Sequence, residues 1–127
     1  MNRAARWREE LASHAEHELL PFWLDRCVDT ANGGFITHFD RDGNDTGEDE
    51  KSLISQARSV FSFSLAARHG WFPDRSLEAA RQGVRFLTKR MWDPTHEGFY
   101  WTVRRNGDPI ETRKILYGHS FAIYALS

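Results

Sequence analysis

The chain has 127 residues, of which 40% are hydrophobic and 28% are charged, a composition typical of one globular domain. Its 17 basic and 18 acidic side chains give a net charge of −1, which argues against the clustered positive charge that nucleic-acid binding requires. We therefore expect no nucleic-acid partner.

Cysteine usage and the distribution of charge indicate the compartment. Cys27 is the single cysteine, so no disulfide within the chain is possible, and we expect it to be a small buried hydrophobe. Charged residues near the start, including Arg3, Arg6 and Glu9, interrupt any apolar run, and no stretch approaches the ~18 apolar residues of a membrane span. These features predict a cytoplasmic protein with no membrane partner.

Four helices are predicted along the chain. They cover residues 2–20, 52–69, 74–92 and 115–127. Pro21 is expected to kink or end the first helix, because proline lacks the helical donor. Gly70 ends the second helix, and the third follows Pro73 with Asp74 as its N-cap.

The four helices are of two kinds. The first and third are amphipathic, with charged residues along one face. The second carries one charged side chain, Arg58, between residues 52 and 67, and the fourth carries no formal charge, with His119 as its titratable group besides tyrosine. A helix that is apolar on all sides is expected to be buried, so the predicted order is exposed, buried, exposed, buried.

Short β-like segments precede the two apolar helices, and the pattern repeats. Residues 33–39 and 98–103 are each predicted as a strand that enters a tight turn. Gly34-Phe35 corresponds to Gly98-Phe99, and further along Ser59 is aligned with Ser120 at a slightly shorter spacing, which implies a small deletion between them. One repeat is therefore a strand, a turn, a buried helix and an exposed helix.

Helical hairpins of this kind are expected to form a closed α/α toroid with the apolar helices inside, although an open solenoid buries the same faces. We predict an all-α, (α/α)6-barrel-like fold with short β-hairpin insertions. The chain contains about two of its hairpins. Residues 1–127 are thus expected to be the N-terminal part of a single, larger barrel domain.

Two polar side chains stand out within the apolar helices. In the alignment that pairs Ser59 with Ser120, Arg58 and His119 occupy equivalent positions, and we expect both to face one cavity. The structural alternatives are an Arg58 ion pair with Glu111 or Asp49, and a core His119 bonded to the backbone. Tyr117 either lies at the same cavity mouth or is a core tyrosine.

Residue spacing suggests two possible metal sites, and both lack ligands. The acidic segment 40–45 resembles a calcium loop, but Asp45 and Lys51 stand where glycine and glutamate are required. His14 and His17 lie one turn apart on the first helix, but the sequence places no third ligand near them. We predict no metal site and no cofactor.

Five segments in succession resemble the N-acylglucosamine 2-epimerase family. They are Leu20-Pro21-Phe22-Trp23-Leu24-Asp25, Asn32-Gly33-Gly34-Phe35, Ser55-Gln56-Ala57-Arg58, Gly98-Phe99-Tyr100-Trp101 and Tyr117-Gly118-His119-Ser120-Phe121-Ala122-Ile123-Tyr124-Ala125-Leu126. The resemblance spans nearly the whole chain. It implies an (α/α)6 barrel that epimerises sugars at C2, or interconverts aldose and ketose, through an enediolate formed by histidine acid/base groups.

The resemblance also implies roles for the candidate residues. Arg58 corresponds to the family's substrate-binding arginine and Tyr117 to its pocket tyrosine, so Arg58 and His119 are the predicted catalytic residues, with Tyr117 in substrate binding. The substrate implied is a mono- or disaccharide. Cellobiose epimerases often carry glutamine at the position of His119 and mannose isomerases tend to carry histidine, which favours a monosaccharide.

The family's principal catalytic histidines lie on later inner helices that this chain does not contain, so the isolated chain is expected to be inactive. Two other functions remain open from the sequence. One is an α/α-barrel glycoside hydrolase, which uses paired carboxylates; neither apolar helix contains one. The other is a non-catalytic helical module that binds carbohydrate or protein.

Overall fold

The computed structural model describes residues 2–127, and the helices and short strands alternate along the chain. The elements are α1 (Arg3–His14), α2 (Leu20–Arg26), β1 (Lys51–Ser52), α3 (Leu53–Arg68), α4 (Pro73–Phe86), β2 (Thr102–Val103), β3 (Pro109–Glu111) and α5 (Leu116–Leu126). Two π-helical segments, Ala15–Leu19 and Leu87–Met91, link α1 to α2 and extend α4. The predicted all-α class with small β insertions is confirmed.

The first predicted helix does not end at Pro21. Helical conformation continues through α2 to Arg26, and the π-helical turn Ala15–Leu19 immediately precedes the segment that contains Pro21. Proline is tolerated at the first positions of an α-helical segment, since the amide donor it lacks is unpaired there. The wider turn thus lets the chain pass the proline without stopping.

The hairpin of α3 and α4 begins and ends close to the predicted residues. The Ser52 hydroxyl caps α3 by accepting from the Ser55 amide at 3.2 Å, and Gly70 follows α3 at φ +77°. The predicted N-cap Asp74 is wrong: Phe72 occupies that position at φ +45°, and Pro73 begins the helix. A proline in the first helical position is favoured because its φ already suits the helix.

The two apolar helices are buried to different extents, and neither is buried on every side. The side chains of α3 that are buried lie at positions 53, 56, 57, 60, 63 and 66, where α4 and α5 pack on them. On α5 only Gly118 and Ala122 are buried, whereas Leu116 is 84% exposed and Ile123 67% exposed. Since α3 also leaves Phe61 36% and Leu65 40% exposed, the expectation that an apolar helix is buried on every side is wrong for both helices within residues 2–127.

The β-structure is smaller than predicted and partly in other places. Residues 33–39 hold only isolated bridges, from Phe35 to Val28 and from Phe39 to Asp45, so the first predicted strand is wrong. The second is confirmed in part, because β2 pairs antiparallel with both β1 and β3 in the order β1-β2-β3. The sheet therefore joins the start of the first apolar helix to the second repeat.

The core lies between α3, α4 and the two loops that precede the apolar helices. Its fully buried apolar side chains are Cys27, Phe35, Leu53, Ala57, Leu87, Met91, Val103 and Ala122. Burial raises the pKa of the Cys27 thiol to about 12, so the thiol is neutral at physiological pH. The prediction that Cys27 is a small buried hydrophobe is confirmed.

Candidate active-site face

The two loops before α3 and α5 have the same backbone hydrogen bonds. The amide of Asp29 donates to the Gly34 carbonyl at 3.0 Å, and the amide of Asp93 donates to the Gly98 carbonyl at 2.9 Å. Each aspartate side chain also accepts from the amides two and three residues further on. Asp29 and Asp93 are separated by the same number of positions as Gly34 and Gly98, which confirms the sequence repeat in this region.

A lysine closes each loop. The ammonium of Lys51 donates to Asp29 at 2.7 Å and to the Gly33 carbonyl at 2.6 Å. Lys114, the corresponding lysine of the second repeat, donates to Asp93 at 2.8 Å. The first pair is fully buried, and the second leaves Lys114 28% exposed. Sequence reasoning missed both pairs, although the repeat spacing contained the signal.

The charges of these pairs are shifted by their surroundings. Burial by itself raises the pKa of Asp29, but the hydrogen bonds from Lys51 and Asn32 outweigh it and lower that pKa. The Lys114 ammonium holds the pKa of Asp93 well below its usual range, and the amides of His96 and Thr95 add to the effect. Both carboxylates are therefore ionised and serve to hold their loops.

The helices that follow the loops are aligned by a hydrogen bond that both repeats share. The Gln56 carboxamide oxygen accepts from the Phe35 amide at 2.8 Å, and the His119 Nε2 accepts from the Phe99 amide at 2.9 Å. The predicted alignment, which paired Arg58 with His119, is therefore wrong. The structural partner of His119 is Gln56, and Arg58 corresponds to Phe121.

Arg58 lies at a groove between α2 and α3. The groove has a volume of about 420 Å³ and combines apolar and hydroxyl side chains. Its lining residues are Leu20, Trp23, Cys27, Thr37, Ser52, Ile54, Ser55, Arg58, Ser59, Ser62 and Phe63. His119 is not among them, so Arg58 and His119 do not line the same groove within residues 2–127.

The Arg58 guanidinium is exposed rather than buried. Both ion-pair partners proposed from the sequence are engaged elsewhere, because Asp49 pairs with Arg104 and Glu111 with Arg113. Within residues 2–127, Arg58 forms no salt bridge at all. A cation at the edge of a groove with no carboxylate beside it is available to a ligand.

Tyr117 lies on the same side of the molecule as Arg58. The rings of Phe61 and Tyr124 are in tilted contact with their centroids 4.9 Å apart, and Gly118 lies beside Leu53 near the helix starts, so α3 and α5 run parallel. At helical spacing, their facing positions form one row, here called the apolar stripe. It consists of Ile54, Arg58, Phe61 and Leu65 on α3 and Tyr117, Phe121 and Tyr124 on α5.

Arg58 and Tyr117 are the polar members at the upper end of the apolar stripe, nearer the helix N-termini. Tyr117 is 63% exposed, so the alternative of a core tyrosine is wrong, and it meets Phe121 edge-to-face with ring centroids 5.1 Å apart. Phe61 and Tyr124, whose rings are in tilted contact, continue the row toward the helix C-termini. The face thus offers a cation and a phenol hydroxyl above aromatic rings, which suits a ligand with oxygen atoms and an apolar underside.

His119 is placed differently from the other two predicted residues. Its Nδ1 lies 3.0 Å from the Ile115 carbonyl oxygen, and its Nε2 accepts from the Phe99 amide. The alternative of a histidine bonded to the backbone therefore describes its position in this structure.

The remaining acidic and histidine clusters have local partners. Asp40 accepts from the amides of Asp42 and Asn44, and His14 lies 3.2 Å from Glu18. Among residues 2–127, no three His, Cys, Asp or Glu side chains are grouped closely enough to hold a metal ion. In the same part of the chain, no helix has both the length and the apolarity to span a membrane.

The chain is similar to one protein family and to several curated enzymes. Residues 34–127 match the model of the family described as N-acylglucosamine 2-epimerase (GlcNAc 2-epimerase). A cellobiose 2-epimerase from Bacteroides fragilis is 32% identical over 126 residues, which are 94% of this chain and 30% of that protein. A mannose-6-phosphate isomerase from Rhizobium meliloti is also 32% identical, over 93% of this chain and 30% of that protein.

Solved structures show the same relation. The cellobiose 2-epimerase of Spirochaeta thermophila superimposes with a TM-score of 0.87 at 38% identity, over 96% of this chain and 30% of that structure. The predicted α/α-barrel class is thereby confirmed, and the chain spans about 30% of the length of the relatives it matches.

Proposed function

This chain belongs to the N-acylglucosamine 2-epimerase family, and on that premise we propose that its apolar stripe is part of the sugar site of a 2-epimerase or aldose–ketose isomerase. The relatives carry epimerase and isomerase names, which supports this class of reaction. The substrate proposed is a mono- or disaccharide with a free reducing end. The preference for a monosaccharide, based on histidine at position 119, stays a prediction.

The observation that carries the proposal is the position of Arg58. It is the one charged side chain of the apolar stripe, it is exposed, and it has no carboxylate partner within residues 2–127. The hydroxyls of Ser55 and Ser59 line the groove beside it. A planar guanidinium with free donors is suited to bind neighbouring sugar oxygens.

The reaction requires removal of the C2 proton and stabilisation of the negative charge that develops on the carbonyl oxygen at C1. We assign the charge stabilisation to Arg58, because a positioned cation lowers the energy of an enediolate more than that of the neutral sugar. Tyr117 is assigned to a sugar hydroxyl, which its phenol can bind as donor or acceptor. The proton transfers are assigned to histidines on further inner helices of a barrel that contains these repeats.

Two broader expectations accompany this assignment. A barrel domain that continues beyond these two hairpins stays a prediction, as does a cytoplasmic location, which is supported by the lone buried Cys27. The isolated chain is expected not to exchange the C2 proton of mannose, glucose, N-acetylglucosamine or cellobiose. Deuterium incorporation at C2 from heavy water, above a heat-killed control, would contradict that expectation.

The decisive experiment uses an active enzyme that contains these repeats. Arg58→Ala is expected to lower kcat/KM by at least ~10²-fold, the effect of losing one oxyanion donor. Arg58→Lys keeps the charge but loses the planar fork, so it should not restore activity. Arg81→Ala, an exposed arginine on α4 away from the apolar stripe, is the matched control and should leave activity unchanged.

Thermal unfolding separates this role from a structural one. Because Arg58 is exposed, its removal should leave the melting temperature near that of the wild type. If Arg58→Ala retains turnover while the melting temperature collapses, the assignment of Arg58 to the sugar site is wrong.

A further inference from the structure

We infer that His119 is a positioning residue, which holds the backbone of Phe99 against the first turn of α5 in the neutral Nδ1–H form. This inference rests on the proposed function, since what it positions is the Tyr117 end of the sugar site. It replaces the acid/base role that the sequence predicts for His119.

Both ring nitrogens of His119 are already committed to the backbone. The Ile115 carbonyl oxygen can only accept, so Nδ1, 3.0 Å away, must carry the proton. The Phe99 amide can only donate, so Nε2, 2.9 Å away, must present its lone pair. A neutral imidazole has one donor and one acceptor nitrogen, and neither is left for a substrate proton.

The other repeat provides independent support. At the equivalent position, the Gln56 oxygen accepts from the Phe35 amide and its nitrogen donates to the Phe35 carbonyl, both at 2.8 Å. A glutamine carboxamide does not take part in proton transfer near neutral pH. The function shared by the two positions is therefore to hold the backbone of the phenylalanine that follows the loop glycine.

The segment held by His119 supports the proposed sugar site. Phe99 is buried, and two residues later the Trp101 ring lies against the position where a Gly118 side chain would project. The Trp101 carbonyl accepts from the amide of Leu53, the first residue of α3. The His119 contact thus fixes the starts of α3 and α5 relative to each other, and with them the spacing of Arg58 and Tyr117.

The first test measures the protonation of the His119 ring in the 127-residue chain. Nitrogen-15 NMR near neutral pH should show a protonated Nδ1 and an unprotonated Nε2. Since His119→Gln removes one histidine and leaves the remaining five, it assigns the signals. An Nε2–H form, or rapid exchange between the two forms, would overturn the inference.

The second test measures hydrogen exchange of the Phe99 amide. His119→Gln supplies the acceptor that Gln56 supplies in the other repeat, so protection should stay within a few-fold of the wild type. His119→Ala should lower the protection of this amide by about tenfold or more, the loss expected when one partly buried hydrogen bond is removed. Where the alanine variant does not fold, the glutamine variant decides alone: loss of protection in His119→Gln contradicts the inference.

The third test measures kcat and KM separately in an enzyme that contains these repeats. His119→Gln should keep kcat, with any change confined to KM, because the site is displaced but no proton donor is lost. If His119→Gln abolishes kcat while the Phe99 amide stays protected, His119 is an acid/base catalyst and the inference fails. Failure of the proposed function would instead show as a wild-type enzyme that contains these repeats within a complete barrel and has no sugar activity, while the nitrogen-15 and hydrogen-exchange results stay as expected.

Discussion

The helices α3 and α5 occupy equivalent places in the two repeats, yet side chains at equivalent positions differ strongly in their exposed fraction. Leu53 is fully buried and Val60 is 1% exposed, whereas their counterparts Leu116 and Ile123 are 84% and 67% exposed. The side chains are of the same kind, so their own hydrophobicity does not set the difference. In a repeat fold, a helix is buried by its neighbours, and α3 has α4 and α5 where α5 has α3.

The loops before these helices also differ in burial, with the first loop more buried than the second, but the difference is smaller. Asp29 and Lys51 are both buried, and Lys51 also donates to the carbonyl of Arg105 in the second repeat. The ammonium of Lys114 bonds instead to the nearby Thr112 carbonyl. The first loop is thus held by both repeats, and the second by its own repeat within residues 2–127.

The largest expected effect comes from Lys51→Met. It leaves the buried Asp29 carboxylate unpaired, so the free energy of unfolding should fall by about 3–5 kcal/mol. Lys114→Met at the equivalent position should cost distinctly less, because that lysine is partly exposed. Urea unfolding of both variants measures the difference. An equal decrease in the free energy of unfolding would mean that the two lysines stabilise their loops equally.

The next effect concerns the apolar positions themselves. Leu53→Ala opens a cavity in the core and should cost about 2–5 kcal/mol. Leu116→Ala in the same chain should change stability by no more than about 0.5 kcal/mol, because the side chain is already exposed. Thermal unfolding checks the pair, and a large loss for Leu116→Ala would show that α5 is covered in solution.

A smaller effect is expected at the loop positions 33 and 97. Gly33 has φ +81°, a conformation that favours glycine, whereas Glu97 adopts φ +56° at the equivalent position. Glu97→Gly should therefore stabilise the chain by about 0.5–1 kcal/mol, and Gly33→Ala should destabilise it by about 1 kcal/mol. A shift of the unfolding midpoint in the same direction for both variants would contradict the backbone strain inferred at Glu97.

The smallest effect is the acid dependence contributed by Asp93. Because Lys114 lowers the pKa of this carboxyl, the pair contributes stability above the ordinary aspartate pKa of about 3.9 and loses it as the pH falls further. Lys114→Met should therefore flatten the decline of stability between about pH 5 and pH 2. Midpoints of urea unfolding at several pH values measure how stability changes with pH. The same pH dependence in Lys114→Met and in the wild type would exclude a contribution from the Asp93–Lys114 pair.

Much of the helical architecture was predictable because it depends on local signals. Gly70 and Pro73 marked the α3–α4 turn, and the absence of charge marked α3 and α5. The register of the repeat was not predictable from side-chain similarity, since Gln56 and His119 share a hydrogen bond but little chemical likeness. Matching like residues instead gave an alignment wrong by two positions.

Long-range pairing was the other obstacle. Lys51 follows the acidic residues Glu48, Asp49 and Glu50 and therefore looks like a surface residue in the sequence. Its partner Asp29 is 22 residues away, and nothing local indicates the contact. The exposed position of Arg58 was missed because burial depends on which helices pack beside α3, while its resemblance to a family arginine was visible in the sequence.

The hydrogen bond from Lys51 to the Arg105 carbonyl imposes an order on events during synthesis. The acceptor lies 54 residues after the donor, so it emerges roughly 3–11 s later at translation rates of about 5–20 residues per second. In that interval Lys51 can reach Asp29 and Gly33 but not its third partner. The first loop therefore forms its last hydrogen bond only after the second repeat has been synthesised. The two repeats are thus expected to complete their folding together, as one cooperative unit.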